Sequence, residues 1–245
     1  MLRLPWKQNE EQRIRLLYGT TGSGKTWKLR ELLARCDRVF LFDLMADPKL
    51  ANWGILVDNL EDGMRLALKQ PKYRVRMQFD SMETFDRLCY FHVKKPHGME
   101  VFNNSLIAVD ELAFFCSSAY MPPNFKNMIR LGRHTNAQLL ATTQRPPDIN
   151  IFIRSQAKEQ YLFQMHEPGD LDCFRKRLPN VDLVTHFTTG EYLLWKPAQH
   201  QIRRYSSPSS RKFVNRQPET LSPRLNNGNA DEETMEETDS ENNSL

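Results

Sequence analysis

The chain has 245 residues, of which 40% are hydrophobic and 26% charged, and a formal net charge of +4 at pH 7. That length suits one α/β domain with a tail, or two small domains. No stretch near 18 apolar residues is present, and residues 1–12 lack the apolar core of a signal peptide, so a soluble intracellular or virion-associated chain without a transmembrane segment is expected.

Cys36, Cys89, Cys116 and Cys173 are scattered without a C-x-x-C pair, as expected of thiols in a reducing compartment. The histidines form no metal-ligand pattern, and His166-Glu167 lacks the second histidine of H-E-x-x-H. Charge is unevenly placed. The segment 231–245 holds seven acids and no Lys or Arg, so the rest of the chain is seven units more basic than the +4 total. A basic body suits a polyanion such as nucleic acid; ordinary solubilising surface charge is the alternative.

Taken in order, the first predicted element is a strand at 14–18, Ile-Arg-Leu-Leu-Tyr. It runs into Gly19-Thr20-Thr21-Gly22-Ser23-Gly24-Lys25-Thr26, a complete G-x-x-x-x-G-K-[ST] loop, and then into a helix over 25–35. Strand, loop and helix are the setting in which this motif cradles phosphates. Its glycines let successive N–H groups turn inward, and the helix N-terminus adds partial positive charge. Lys25 would reach the β- and γ-phosphates of ATP, and the Thr26 hydroxyl would hold Mg²⁺.

A strand at 38–42 ends at Asp43, which either faces the cleft or caps a turn ahead of Asp47-Pro48. A helix at 61–69, a strand at 73–79 and a helix at 82–93 follow. Next comes Leu106-Ile107-Ala108-Val109-Asp110-Glu111, a buried strand (106–109) ending in two acids. In nucleotide-hydrolysing proteins with a phosphate loop, Asp110 would hold the metal and Glu111 would activate the attacking water. A kinase, whose nucleophile is a substrate hydroxyl, has no need of the second acid.

A helix at 123–131 leads through Gly132-Arg133-His134 to a strand at 138–143. That strand ends in Gln144, an amide placed to sense the γ-phosphate if this strand lies beside the Asp110 strand. A strand at 160–164, a helix at 171–177 and a terminal hairpin, 191–195 with 201–205, complete a domain spanning 1–205. From 206 onward the Ser-, Pro-, Asn- and Glu-rich composition predicts a disordered tail. Alternating strands and helices predict an α/β fold with a mainly parallel sheet flanked by helices.

Phosphate loop, strand-Asp-Glu, Gly132-Arg133-His134 and the Thr143-Gln144-Arg145-Pro146 strand end together resemble the HerA/FtsK superfamily of DNA-pumping ATPases. Ile153-Arg154-Ser155-Gln156-Ala157 and His166-Glu167-Pro168-Gly169-Asp170 add to the resemblance, which covers about residues 12–200. It implies a RecA-like ASCE core, double-stranded DNA as partner and a homo-oligomeric, commonly hexameric, ring. The short length is most similar to the genome-packaging ATPases of tailless internal-membrane phages and archaeal viruses, with capsid or membrane-vertex proteins as further partners. Zot-like assembly ATPases are the rival, although these usually carry a membrane segment. In such a ring a neighbour's arginine completes the site. Arg133 is the first candidate, Arg130 the second and Arg154 a third, while Arg145 would relay nucleotide state to the ring interface. A phosphate-loop kinase and a non-translocating ATP-binding switch are the other readings.

Overall fold

The structure is a computed structural model, and it describes residues 14–79, 81–93 and 102–206. The tail expected beyond 206, its acidic stretch and Lys94-Lys95 lie outside the described residues. Nine strands form one sheet in the order β3-β4-β2-β5-β6-β1-β7-β8-β9. β1 (Ile14–Tyr18), β2 (Arg38–Asp43), β3 (Ile55–Val57), β4 (Tyr73–Met77), β5 (Leu106–Asp110), β6 (Gln138–Thr143) and β7 (Glu159–Leu162) are parallel. β8 (Tyr192–Lys196) and β9 (Gln201–Tyr205) close one edge antiparallel.

The central strands read as mostly apolar runs because both faces of the sheet are covered. Leu17, Leu41, Ala108 and Leu140 face α1 (Lys25–Leu33) through Leu29, Leu32 and Leu33. Leu16, Phe40, Phe42, Ile107 and Val109 face the opposite core. That core is covered by α2 (Leu60–Lys69), α3 (Met82–Val93), α4 (Pro123–Leu131), α5 (Ile151–Gln156) and α6 (Pro168–Arg175). Each such side chain contributes about 1.5–3 kcal/mol on burial.

An aromatic knot fixes the loop after β5. Phe85 of α3 stacks on Phe115 at 4.4 Å and meets Phe125 of α4 edge-on at 4.9 Å. The Asp86 carboxylate accepts from the Phe125 N–H at 2.8 Å and the Asn124 side-chain amide at 2.8 Å, capping α4 from α3.

Two elements depart from sequence expectation. β3 is three residues long and half exposed, too short to show a period. α5 is a six-residue helix capped by Asn150. β7 also stops earlier than expected, at Leu162. Beyond it the Gln164 carbonyl turns to accept from the Thr20 N–H at 2.9 Å, so the phosphate loop takes what the sheet gives up. α6 begins earlier than expected because Pro168 occupies its first turn, where a missing N–H costs nothing.

Candidate active site

β6 lies between β1 and β5, which brings the carboxyl ends of three strands together: the phosphate loop, Asp110-Glu111 and Thr142-Thr143-Gln144. The loop adopts backbone conformations that require glycine. Gly22 has φ +80° and Gly24 φ +108°. A Cβ on Gly24 would stand 2.9 Å from the Gly190 backbone. Gly190 donates its N–H to the Ser23 carbonyl at 2.8 Å, so the turn before β8 buttresses the loop. Nothing in the sequence marked Gly190 or Gln164 as supports; both are backbone partners that carry no motif.

The loop fits a polyphosphate. The Ser23 hydroxyl is buried without a hydrogen-bond partner. The Lys25 ammonium is buried and donates to the Gly19 and Thr20 carbonyls, folded over its own loop. Burial pulls the Lys25 pKa below its ordinary value, against the pull of Glu111 and Asp110. Thr21 and Gly22 are exposed at the tip, and Thr26 is half-buried one position into α1.

Asp110 and Glu111 are joined through Thr142. The Thr142 hydroxyl donates to Asp110 Oδ1 at 2.7 Å and accepts from the Glu111 N–H at 2.9 Å. This fixes one carboxylate oxygen of Asp110 and leaves the other for a cation such as Mg²⁺. Burial raises the Asp110 pKa, and the charges of Asp43 and Asp47 add to the rise. A divalent cation would relieve that repulsion, so this donor set fits one. Thr142 sits inside the quoted strand-end motif, but sequence reasoning gave it no role.

Glu111 is a non-glycine residue in the left-handed region, with φ 70° and ψ 79°. Such a conformation costs about 1–3 kcal/mol and persists only where the surroundings dictate it. Here the Thr142 contact and the Phe115 anchor dictate it. The Glu111 carboxylate accepts from the Gln144 backbone N–H at 3.1 Å. The Gln144 side chain, expected to be the sensor, is exposed, and it is the backbone of Gln144 that touches Glu111. Burial raises the Glu111 pKa, with hydrogen bonds from Thr143 and Gln144 opposing it.

Asp43 caps the turn ahead of Asp47-Pro48, with its other oxygen 3.4 Å from the Arg76 guanidinium. It is buried beside Asp110 in register, and its Oδ1 accepts from the Asp47 N–H at 3.0 Å. The arginine candidates lie elsewhere. Arg130 and Arg133 are exposed at the end of α4 and in the turn before β6, where the strand begins, so neither is near its own phosphate loop. The Arg154 side chain lies by Tyr18 and the Cys173 thiol, with its Nε buried. Arg145 pairs with Asp170 at 3.3 Å, linking the β6 end to α6. Among the described residues no helix is long and apolar enough to cross a membrane, and no His/Cys/Asp/Glu group forms a metal cluster.

Solved structures share this fold. The genome-packaging NTPase B204 of Sulfolobus turreted icosahedral virus 2, in complex with ATPγS, aligns with a TM-score of 0.65 at 17% identity, covering 81% of this chain and 98% of that one. The chain shares its fold with this packaging NTPase. The DNA-packaging ATPase B204 of Sulfolobus turreted icosahedral virus gives a TM-score of 0.62 at 18% identity, over 80% and 98% of the two chains. Protein P9 of Pseudoalteromonas phage PM2 is 24% identical over 204 residues, spanning 81% of this chain and 89% of that protein. The cytoplasmic domain of the type VII secretion ATPase EccC of Thermomonospora curvata is more distant, with a TM-score of 0.52 over 80% of this chain and 25% of its own. No protein-family model matches the chain.

Proposed function

We propose that this chain is an Mg²⁺-dependent ATP hydrolase whose turnover moves double-stranded DNA, in viral genome packaging. The observation that carries the hydrolytic part is Glu111 beside Asp110. It is a second acid in a left-handed backbone, its N–H bonded to Thr142, near enough to Lys25 for the two charges to act on each other. Proteins of the same fold are described as genome-packaging and DNA-packaging enzymes, which supports the cargo.

The chemistry divides among named groups. Backbone N–H groups of residues 20–24 and the α1 N-terminus orient the β- and γ-phosphates. The Lys25 ammonium leaves the Gly19 and Thr20 carbonyls for the phosphate oxygens as charge develops there. Thr26 and Asp110 would hold Mg²⁺, which when bound neutralises phosphate charge. Glu111 accepts the proton of the attacking water, and burial keeps it basic enough to do so. Gln144, bonded to Glu111 through its N–H, reports whether that carboxylate has turned to the water. Arg133, in the turn before β6 at the strand-start end, takes no part at the phosphate loop of its own subunit.

The test is ATP hydrolysis with and without duplex DNA, for wild type and Glu111→Gln. The expected result is DNA-stimulated hydrolysis that falls about 10²–10⁴-fold in the variant, with ATPγS binding retained. Hydrolysis indifferent to DNA and to Glu111 contradicts the proposal. Phosphate transfer only to an added acceptor identifies a kinase, and binding without turnover identifies a switch.

A further inference from the structure

Seven parallel strands sort the chain into two ends: all strand exits lie with the nucleotide, and all strand starts lie opposite. The charges sort the same way. The exit end collects Asp43, Asp47, Asp110, Glu111, Asp148 and Asp170, among Lys25, Lys49, Arg76 and Arg145. Much of that charge is committed internally: Asp47 accepts from the Lys49 N–H at 2.8 Å, Asp110 from Thr142 and Asp170 from Arg145.

The start end is basic. Lys69 and Lys72 precede β4, Arg38 opens β2, Arg130 and Arg133 precede β6, and Lys158 precedes β7. Among the described residues flanking these starts, the acids are Asp37 and Glu159. Asp37 pairs with Lys72 at 3.2 Å, and Glu159 pairs with Arg15 and with Lys196 at 2.9 Å. The Arg38 guanidinium donates to neutral carbonyls, Pro71 at 2.8 Å and Asn103 at 3.0 Å, so its charge is not cancelled. No described carboxylate pairs with Lys69, Arg130 or Arg133, which are exposed. In sheet order the exposed cations, Lys69 to Arg133, run from β4 to β6, three strand spacings or about 14 Å. That length matches about four base pairs of duplex, which carry one phosphate charge per ~1.7 Å of axis.

We propose that the strand-start end is the surface that receives the phosphates of duplex nucleic acid. The proposal rests on the DNA reading above and gives it a place in the fold. Lysines and arginines spread along a sheet edge offer charge without a base-reading element, so recognition is of backbone and independent of sequence. A second copy of the chain is the poorer fit, because many of the acids it would present are already bonded to their own amides and cations.

The experiment is fluorescence anisotropy with a labelled duplex of about 30 base pairs over a salt series, run on the full chain. Lys69→Ala/Arg130→Ala removes two cations of the start end, and Lys49→Ala removes an exposed one from the turn after β2. ATPγS binding and thermal unfolding are measured alongside to show that each variant is folded. The double variant is expected to bind DNA at least tenfold more weakly at low salt and to lower the slope of log affinity against log salt by about two, while Lys49→Ala matches wild type. Wild-type binding that the double variant retains in full overturns this surface and leaves the DNA reading standing. No binding of duplex by wild type at low salt overturns the DNA reading, and this surface with it. If the double variant instead sizes as a smaller assembly with DNA binding unchanged, a second copy occupies the surface and the proposal fails.

Discussion

Gly22 and Gly24 are both in left-handed backbone, but they differ in what surrounds them. A Cβ on Gly22 meets nothing within 4 Å, whereas one on Gly24 meets the Gly190 backbone at 2.9 Å. Gly22→Ala is therefore expected to cost about 1–2 kcal/mol of conformational strain. Gly24→Ala is expected to cost more and to displace the turn before β8. Thermal unfolding and ATPγS binding on the two variants check this ranking. Equal losses contradict the buttress role of Gly190. Thr142 offers a second test. Thr142→Val keeps the shape of the side chain but leaves Asp110 and the Glu111 N–H without their shared partner, at about 1–3 kcal/mol. Hydrolysis should fall at least tenfold and recover in Thr142→Ser. An unchanged rate for Thr142→Val would show that Glu111 is positioned without it.

Buried His92 gives the fold a pH dependence. Its Nδ1 bonds to the Leu88 carbonyl at 2.9 Å, its Nε2 is buried without a partner, and burial lowers its pKa from 6.5 to about 4. Between those values the unfolded chain binds the proton and the folded chain does not. Stability is therefore intact above about pH 6.5 and lost as pH falls toward 4, by up to about 3 kcal/mol. Urea titrations at pH 7 and pH 4.5 should show the loss in wild type and a smaller one in His92→Phe. Equal losses in both would place the acid sensitivity elsewhere.

α4 is held at its start by a residue of another helix. Asp86→Ala should cost about 1 kcal/mol or more, because the Phe125 N–H and the Asn124 amide lose their acceptor; denaturant unfolding reads it directly. This long-range cap could not be read in the sequence, where Pro123 alone marks the helix start. Most of the sheet could be read. The runs at 14–18, 106–109 and 138–143 are mostly apolar because both faces are buried. β3 and α5 were missed for the converse reason, being too short for a period to show. The phosphate loop and the acid pair were legible because their chemistry demands those residue types at fixed spacing. The strain at Glu111, the Thr142 bridge and the Gly190 support were not, since each depends on strands brought side by side from distant parts of the chain. The Gln144 expectation shows the limit well: it rested on the side chain, which is exposed, whereas the contact to Glu111 runs through the backbone.

Taken whole, the molecule is a parallel sheet with a chemical end and a basic end. The net charge of +4 conceals this, because exposed cations without a carboxylate partner, Lys69, Arg130 and Arg133, gather at the strand starts. Hydrolysis at one end can drive a cargo at the other only if the two are mechanically linked. The Glu111-to-Gln144 contact, continued through Arg145 to Asp170 on α6, is the bonded route leaving the acid pair. Arg145→Ala should therefore leave ATPγS binding intact and reduce the stimulation of hydrolysis by DNA. A variant with full stimulation removes that route.

The most direct measurement is displacement of a third strand from a duplex that carries a triplex block, which reports movement along double-stranded DNA rather than binding or turnover. Wild type with ATP and Mg²⁺ is predicted to release the third strand, whereas Glu111→Gln with ATP, or wild type with ATPγS, leaves it in place. Robust hydrolysis by wild type on this DNA with no release of the third strand would contradict the claim that the chain is a DNA-moving motor.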